Sequence, residues 1–387
     1  MGGIFLKILY RLTAFFTALC MLNTTAYAEE ETSVTTAKAS ILVEQKTGQV
    51  LFEKNADERL AIASVTKIMT LLIAAEEISS GRLTFEETAV CSAYAGSMNG
   101  SVIWLTEGEE MEVGELIKSI VIASANDACV MLAEHIAGSE AEFVKRMNEK
   151  ASKLGMTNTS FVNCVGYDNE NHYSSARDIV KMATELRKYK IYDEFLLTRL
   201  DSVRTGTKSE TQLLNTNKLI TSYEGITGLK TGTTDNAGCC LCATAERGNM
   251  SLIAVVLGCS DDESRFSEAQ NLLDYGFDGF EKVVLRPDTS ELTEVSVSGG
   301  IKKTVDTRFS GTSDTVLPKN SMSEIEFFYS RTENVAAPVE KGELLGFVTM
   351  MSGDKIIGTA KIVAAEDVEE LNFLKCFTEI LDSLFTF

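Results

Sequence analysis

The chain has 387 residues, a formal net charge of −20, 44% hydrophobic and 24% charged residues, three prolines and only two histidines. That length exceeds one ordinary domain, and so acidic a chain is a poor partner for nucleic acid, whose phosphates it would repel. With His135 and His172 alone, a Ser-His-Asp triad or a multi-histidine zinc site would depend on one or both of them.

Residues 1–28 carry Lys7 and Arg11, an apolar run over 12–22, and Ala26-Tyr27-Ala28, the layout of a signal peptide cut after Ala28. Export is therefore expected, with residues 29–38 as a linker; a retained membrane anchor is the alternative. Residues 39–52 are strand-like on either side of a turn at Lys46-Thr47-Gly48. Ser64-Val65-Thr66-Lys67 opens an apolar stretch over 68–75, free of Gly and Pro, which predicts a buried helix over 67–77. Further helix-length stretches cover 113–136, 140–154, 176–189 and 267–275, and Ser124-Ala125-Asn126 falls inside the first of these. Lys230-Thr231-Gly232 leads into strand-like runs at 237–245 and 251–257. An α+β domain over 39–281 follows, its antiparallel sheet built from the two ends and covered by helices.

All three prolines, Pro287, Pro318 and Pro338, come late, and residues 282–363 hold short β-type runs between Gly, Pro, Asn and Asp. That segment reads as a small β-sandwich without a motif for chemistry. Residues 364–387 place Val368, Leu371, Leu374, Phe377, Leu381 and Leu384 at steps of three or four, an amphipathic helix pattern. Its charges forbid a membrane span. On its polar face Asp367, Glu369, Glu370, Glu379 and Asp382 oppose Lys375 alone, so any hold on a lipid surface would rest on Phe373, Phe377, Phe385 and Phe387. Docking on a protein partner or on the β-domain is the alternative.

Each of the three motifs has a double, at Ser352 to Lys355, Ser97 to Asn99 and Lys46 to Gly48. Order and context separate them. Ser352-Gly353-Asp354-Lys355 lies between two β-like runs and reads as a hairpin turn. Ser64 instead stands at a helix N-terminus, where free N–H groups and the dipole favour developing negative charge, and Lys67 follows one turn on along the same face. His135 reads as a helix-end residue and His172 as part of a loop entering a helix, so lysine is the remaining candidate base. Of the nine cysteines, Cys239, Cys240 and Cys242 crowd one strand-like run; small buried side chains explain them better than a zinc site. No metal or cofactor is expected. So many thiols in an exported chain suggest a reducing setting, with disulfides left open.

The ordered set Ser-x-x-Lys, Ser-x-Asn and Lys-Thr-Gly is that of serine enzymes of the penicillin-binding and class A β-lactamase type. Together with residues 42–57, the run from His172 to Asp178, the run from Val255 to Gly258 and Arg265-Phe266, it resembles the serine-type D-alanyl-D-alanine carboxypeptidases of the low-molecular-weight penicillin-binding class. The resemblance runs from about Ala39 to the C-terminus. It implies Ser64 as nucleophile, Lys67 as proton acceptor with Lys230 as the neighbouring cation, Ser124 as relay to the leaving amine, and Asn126 as orienter of Lys67 and substrate. It further implies an oxyanion site between the N–H groups of Ser64 and Thr233, Thr231 and Arg265 on the terminal carboxylate, and Gly232 within the binding strand. Peptidoglycan stem peptides ending in D-Ala-D-Ala would be the substrate, β-lactams the covalent inhibitors, and a terminal helix the contact with the membrane surface. The plainer readings are that Ser124 or Asn126 caps the helix beginning near Asp127, that Arg265 forms a surface ion pair with the acids before it, and that Thr233 and Thr234 are ordinary strand residues. Other functions to weigh are a class A β-lactamase, which lacks here its Glu-x-x-Leu-Asn between the second and third motifs, and a non-catalytic β-lactam or peptidoglycan sensor.

Overall fold

A computed structural model describes residues 34–311, 313–319, 321 and 325–371. The chain divides into two compact units between Asp278 and Gly279. The signal-like segment lies outside the described residues, as does the end of the chain from residue 372.

The first unit is organised by a five-stranded antiparallel sheet of β1 (Ala39–Glu44), β2 (Val50–Lys54), β3 (Ile226–Thr234), β4 (Gly238–Arg247) and β5 (Met250–Cys259), in the order β2-β1-β5-β4-β3. The N-terminal hairpin joins the C-terminal meander through β1 and β5, with Ile41 opposite Val255. Residues 239–245 and 250–257 are buried without a break. Unbroken burial of that kind means both faces are covered, and the run of Val, Ile, Leu, Ala and Cys suits it. Helices α1 (Lys67–Ser79), α5 (Ala176–Leu186) and α6 (Asp262–Gly279) pack against the sheet, while α2 (Val113–Ile122), α3 (Asn126–Ala137) and α4 (Glu140–Lys153) pack on one another, α3 and α4 also on α1. Helix α1 is buried from Lys67 through Ala75 on every side, which is why its sequence shows no polar face.

One predicted helix is two. The 113–136 stretch breaks at residues 123–125 between α2 and α3, with Ser124 in the left-handed region at φ 60°. The break takes Ser124 out of the helices and puts Asn126 at the start of α3. Lys46-Thr47-Gly48 and Ser352-Gly353-Asp354-Lys355 are turns between paired strands, as their composition predicts.

The second unit is all-β. Thr307–Ser310, Lys355–Ala364, Leu344–Ser352 and Ile325–Arg331 form a four-stranded sheet in that order. A three-stranded sheet around Val295–Ser298 and a pair formed by Phe280–Leu285 with Ser313–Pro318 complete it. The start of the predicted terminal helix departs from expectation. Val368 is buried, and its backbone bridges Val339 while Glu370 bridges Gly300. Residues 366–371 thus extend along the β-unit, because Val368 gains more from the Val295, Val297 and Val305 cluster than from a helical turn.

Candidate active site

Ser64 sits in a 3₁₀ turn, Ala63–Thr66, that runs directly into α1. It is half-buried, whereas Lys67 one turn on is fully buried. The Lys67 Nζ lies 2.7 Å from Ser64 Oγ, 2.7 Å from Asn126 Oδ1 and 3.0 Å from the Val165 carbonyl. Three acceptors match the three protons of an ammonium. Burial drives its pKa down to about 8, against the opposing pull of Cys129, Cys164 and Asp127.

Lys230, on β3, is buried as well and donates to the Thr231 carbonyl at 3.0 Å. Burial first, then the charges of Lys67 and Arg265, hold its pKa well below the ordinary lysine value. Two buried amines thus share one positive field, which favours the neutral form of an amine.

Asn126 opens α3, and its side chain does not cap that helix, whose N-cap position is Ala125. Its Oδ1 faces Lys67, and its Nδ2 donates to the Asn99 carbonyl at 2.7 Å. Asp127 beside it accepts the N–H groups of Ile103, at 3.1 and 3.0 Å, and of Leu105 at 3.0 Å. The 99–105 loop is thereby pinned to the start of α3. Ser124 Oγ is buried without a hydrogen-bond partner among the described residues, a state that costs about 1–3 kcal/mol unless a ligand or water meets it.

On the β3 side, Thr231 Oγ1 donates to Thr216 Oγ1 at 2.7 Å. Arg265, on α6, donates through Nη1 to the Gly232 carbonyl at 3.2 Å and Thr233 Oγ1 at 2.7 Å, and through Nη2 it pairs with Asp262. The ion pair that the acids before it suggest is real, yet the guanidinium is buried against β3. Thr234 Oγ1 donates to Asp168 at 2.6 Å. Gly232 lies so close to the nucleophile's turn that a Cβ there would stand 2.8 Å from the Ile62 carbonyl and 2.9 Å from Ser64 N.

Ser64, Lys67 and Asn126 therefore form one hydrogen-bonded group, with Lys230 within reach of the Lys67 charge. Ser124, Thr231 and Arg265 are not bonded to it directly. The motifs leave out the Val165 and Asn99 carbonyls and Tyr167, whose hydroxyl donates to Asn99 O at 2.8 Å and accepts from Asn126 Nδ2 at 3.4 Å. Backbone acceptors carry no residue-type signal, and Tyr167 belongs to no motif.

His172 supports this group from outside. Its Nδ1 accepts the Val162 N–H at 3.2 Å, so Nε2 carries the proton and donates to Thr66 Oγ1 at 2.8 Å. Burial pushes its pKa down to about 4. The unfolded chain, with a histidine near 6.5, binds the proton more readily between those values, so stability falls as pH drops from about 6.5 toward 4. At pH 5 the loss is about 2 kcal/mol. Urea unfolding of the native protein and of His172→Gln at pH 7 and pH 5 checks this, the variant losing that part of the pH dependence.

Residues 24–261 match the family described as D-alanyl-D-alanine carboxypeptidase. The chain belongs to that family. Residues 280–370 of this carboxypeptidase match the C-terminal domain of penicillin-binding protein 5. The D-alanyl-D-alanine carboxypeptidase DacF of Bacillus subtilis is 41% identical over 339 residues, 87% of each chain. DacC of Escherichia coli is 34% identical, covering 90% of this chain and 89% of its own. Among solved structures, penicillin binding protein 5 from Haemophilus influenzae superposes with a TM-score of 0.78 at 29% identity, over 87% of this chain and 98% of that one. The protein is a serine-type peptidase with the α+β fold and the small β-domain expected from the sequence.

Proposed function

We propose that the carboxypeptidase removes the terminal D-alanine from peptidoglycan stem peptides outside the cytoplasm, through an acyl-enzyme on Ser64 that β-lactams also form. The observation that carries this reading is the buried Lys67 amine, 2.7 Å from Ser64 Oγ with its pKa lowered to about 8. A lysine so placed takes the Ser64 proton as Oγ attacks the carbonyl between the two D-alanines. The N–H groups of Ser64 and Thr233 stabilise the oxyanion, a contribution of on the order of 100- to 1000-fold. As the C–N bond breaks, the unpartnered Ser124 hydroxyl passes a proton to the departing D-alanine amine. Asn126 holds the acyl-side amide. Lys230, Thr231 and Arg265 hold the terminal carboxylate, the planar guanidinium suiting a bidentate grip. Water then releases the shortened peptide.

The β-lactamase alternative is disfavoured by the 156–166 segment, which gives Lys67 a backbone carbonyl where that mechanism needs a carboxylate. Residues 1–28 supply the export signal. Among the described residues no helix is long and apolar enough to cross a membrane. The phenylalanines and leucines after Leu371 supply the hold on the membrane surface.

The test is titration of the full-length protein with benzylpenicillin while D-alanine release from a D-Ala-D-Ala peptide is followed. Release that ceases at one equivalent, with the adduct mapped to Ser64, is the expected result. Release indifferent to penicillin, or an adduct elsewhere, sinks the reading.

A further inference from the structure

Trp104 is the only tryptophan of the chain, and it is 72% exposed. Its backbone lies in the left-handed region at φ 58°, a conformation costing a residue with a side chain about 1–3 kcal/mol. Ionic groups enforce it on both sides. The Asp127 carboxylate takes the N–H groups of Ile103 and Leu105, and Arg204 Nη1 donates to the Ile103 carbonyl at 2.9 Å while its Nε pairs with Glu109 at 2.6 Å. Arg204 itself has φ 55°. Among the described residues, the remaining non-glycine residues with positive φ are Ala63 and Ser124, at the nucleophile's turn and the second motif, and Asn55 in an exposed turn. Strain in this unit thus concentrates at the active site and at the clamp under Trp104. A large indole left in water on a backbone held rigid by two acids and an arginine gives the fold nothing in return. Such a ring is suited to a ligand.

Connectivity says which part of the ligand. Asp127 adjoins Asn126, and the same loop gives Asn126 two backbone contacts, its Nδ2 to the Asn99 carbonyl at 2.7 Å and its N–H to the Ser101 carbonyl at 2.6 Å. Trp104 therefore belongs to the segment that carries the acyl-side amide, whereas the carboxylate grip belongs to β3 and α6. We infer that Trp104 forms an aromatic subsite for the acyl half of the substrate, packing on an extended aliphatic side chain of the residue that precedes the acyl D-alanine. This rests on the substrate reading above. Indole is matched to that ligand: its face takes methylenes, and it tolerates a cationic head beyond them.

Because no other tryptophan contributes, emission of the Ser64→Ala protein reports directly on the subsite. Saturating acetyl-Lys(acetyl)-D-Ala-D-Ala is expected to shift the emission, and acetyl-Gly-D-Ala-D-Ala to leave it unchanged. In the active protein, Trp104→Ala lowers the ratio of kcat/KM between lysine and glycine peptides by about tenfold, mainly through KM, and Trp104→Phe restores most of it. An emission that ignores both peptides at saturation, or an unchanged ratio, overturns the subsite. If the native protein releases D-alanine from neither peptide, the substrate reading fails instead. The subsite is then judged on acylated native protein, where benzylpenicillin shifts the emission more than 6-aminopenicillanic acid does; equal shifts overturn it.

Discussion

Lys67→Met is expected to leave a folded protein with acylation of Ser64 by benzylpenicillin slowed by at least on the order of 10⁴-fold. Methionine has nearly the same length and suits a fully buried site. Removing the amine leaves Asn126 Oδ1 and the Val165 carbonyl without this donor, but it also removes the desolvation of a buried charge, so the two effects on stability oppose each other. The chemistry has no such compensation, since among the described residues no other amine or imidazole is bonded to Ser64 Oγ. Lys67→Arg separates base from charge. Arginine keeps the cation and cannot give up its proton, so its loss should match that of methionine; retention of more than a tenth of the native rate would mean that Lys67 acts by charge alone. The native pH profile supplies the sign. With a pKa of about 8, the neutral amine is the working base, so kcat/KM should rise nearly tenfold per pH unit up to about 8 and then level off.

The part of this site that is legible in the sequence is the part carried by side chains at fixed local spacing. Ser64 and Lys67 meet because three residues make nearly one turn. Lys230 is found because Lys-Thr-Gly leads a strand-like run. The carbonyls of Val165 and Asn99 escape that reading, since every residue has one and only the folded path decides which two point at Lys67 and Asn126. The break in 113–136 escapes it for a related reason. Ile120-Val121-Ile122-Ala123-Ser124-Ala125 contains neither Gly nor Pro, and a serine at φ 60° is imposed by what the site requires rather than by its own propensity.

At fold level the same division holds. Strands buried on both faces announce themselves by apolar runs, as β4 and β5 do. Phe280–Leu285, with a Glu and a Lys near its start and half its residues only partly covered, and Ser313–Pro318, ending on a proline, do not. Val368 fits the spacing of a terminal helix, yet its burial in the β-unit core takes it into an extended bridge. Sparse apolar residues at steps of three or four fit either state until tertiary packing chooses.

Gly166→Ala is the second substitution with a large expected effect, and no motif contains it. Gly166 has φ 94°, and a Cβ there would stand 1.8 Å from the Ala63 carbonyl oxygen and 2.9 Å from Ser64 N. The loop cannot simply rotate away. Asn163 Oδ1 accepts the N–H groups of Val165, Gly166 and Tyr167 together, and Val165 O accepts from Lys67. The collision therefore displaces the nucleophile's turn, the carbonyl on Lys67, or both. Strain and overpacking together should lower stability by about 3–5 kcal/mol. A displacement of about 1 Å at Ser64 should slow acylation about 100-fold in whatever protein remains folded. Gly138→Ala is the control, since Gly138 also has positive φ, at 81°, but an added Cβ there meets nothing within 4 Å. It should cost only the backbone strain, about 1–2 kcal/mol, with acylation at the native rate. Thermal unfolding and the penicillin acylation rate, measured on both variants, decide the matter: equal losses in the two would mean that the close approach of Gly166 to the Ser64 turn plays no part in holding the nucleophile.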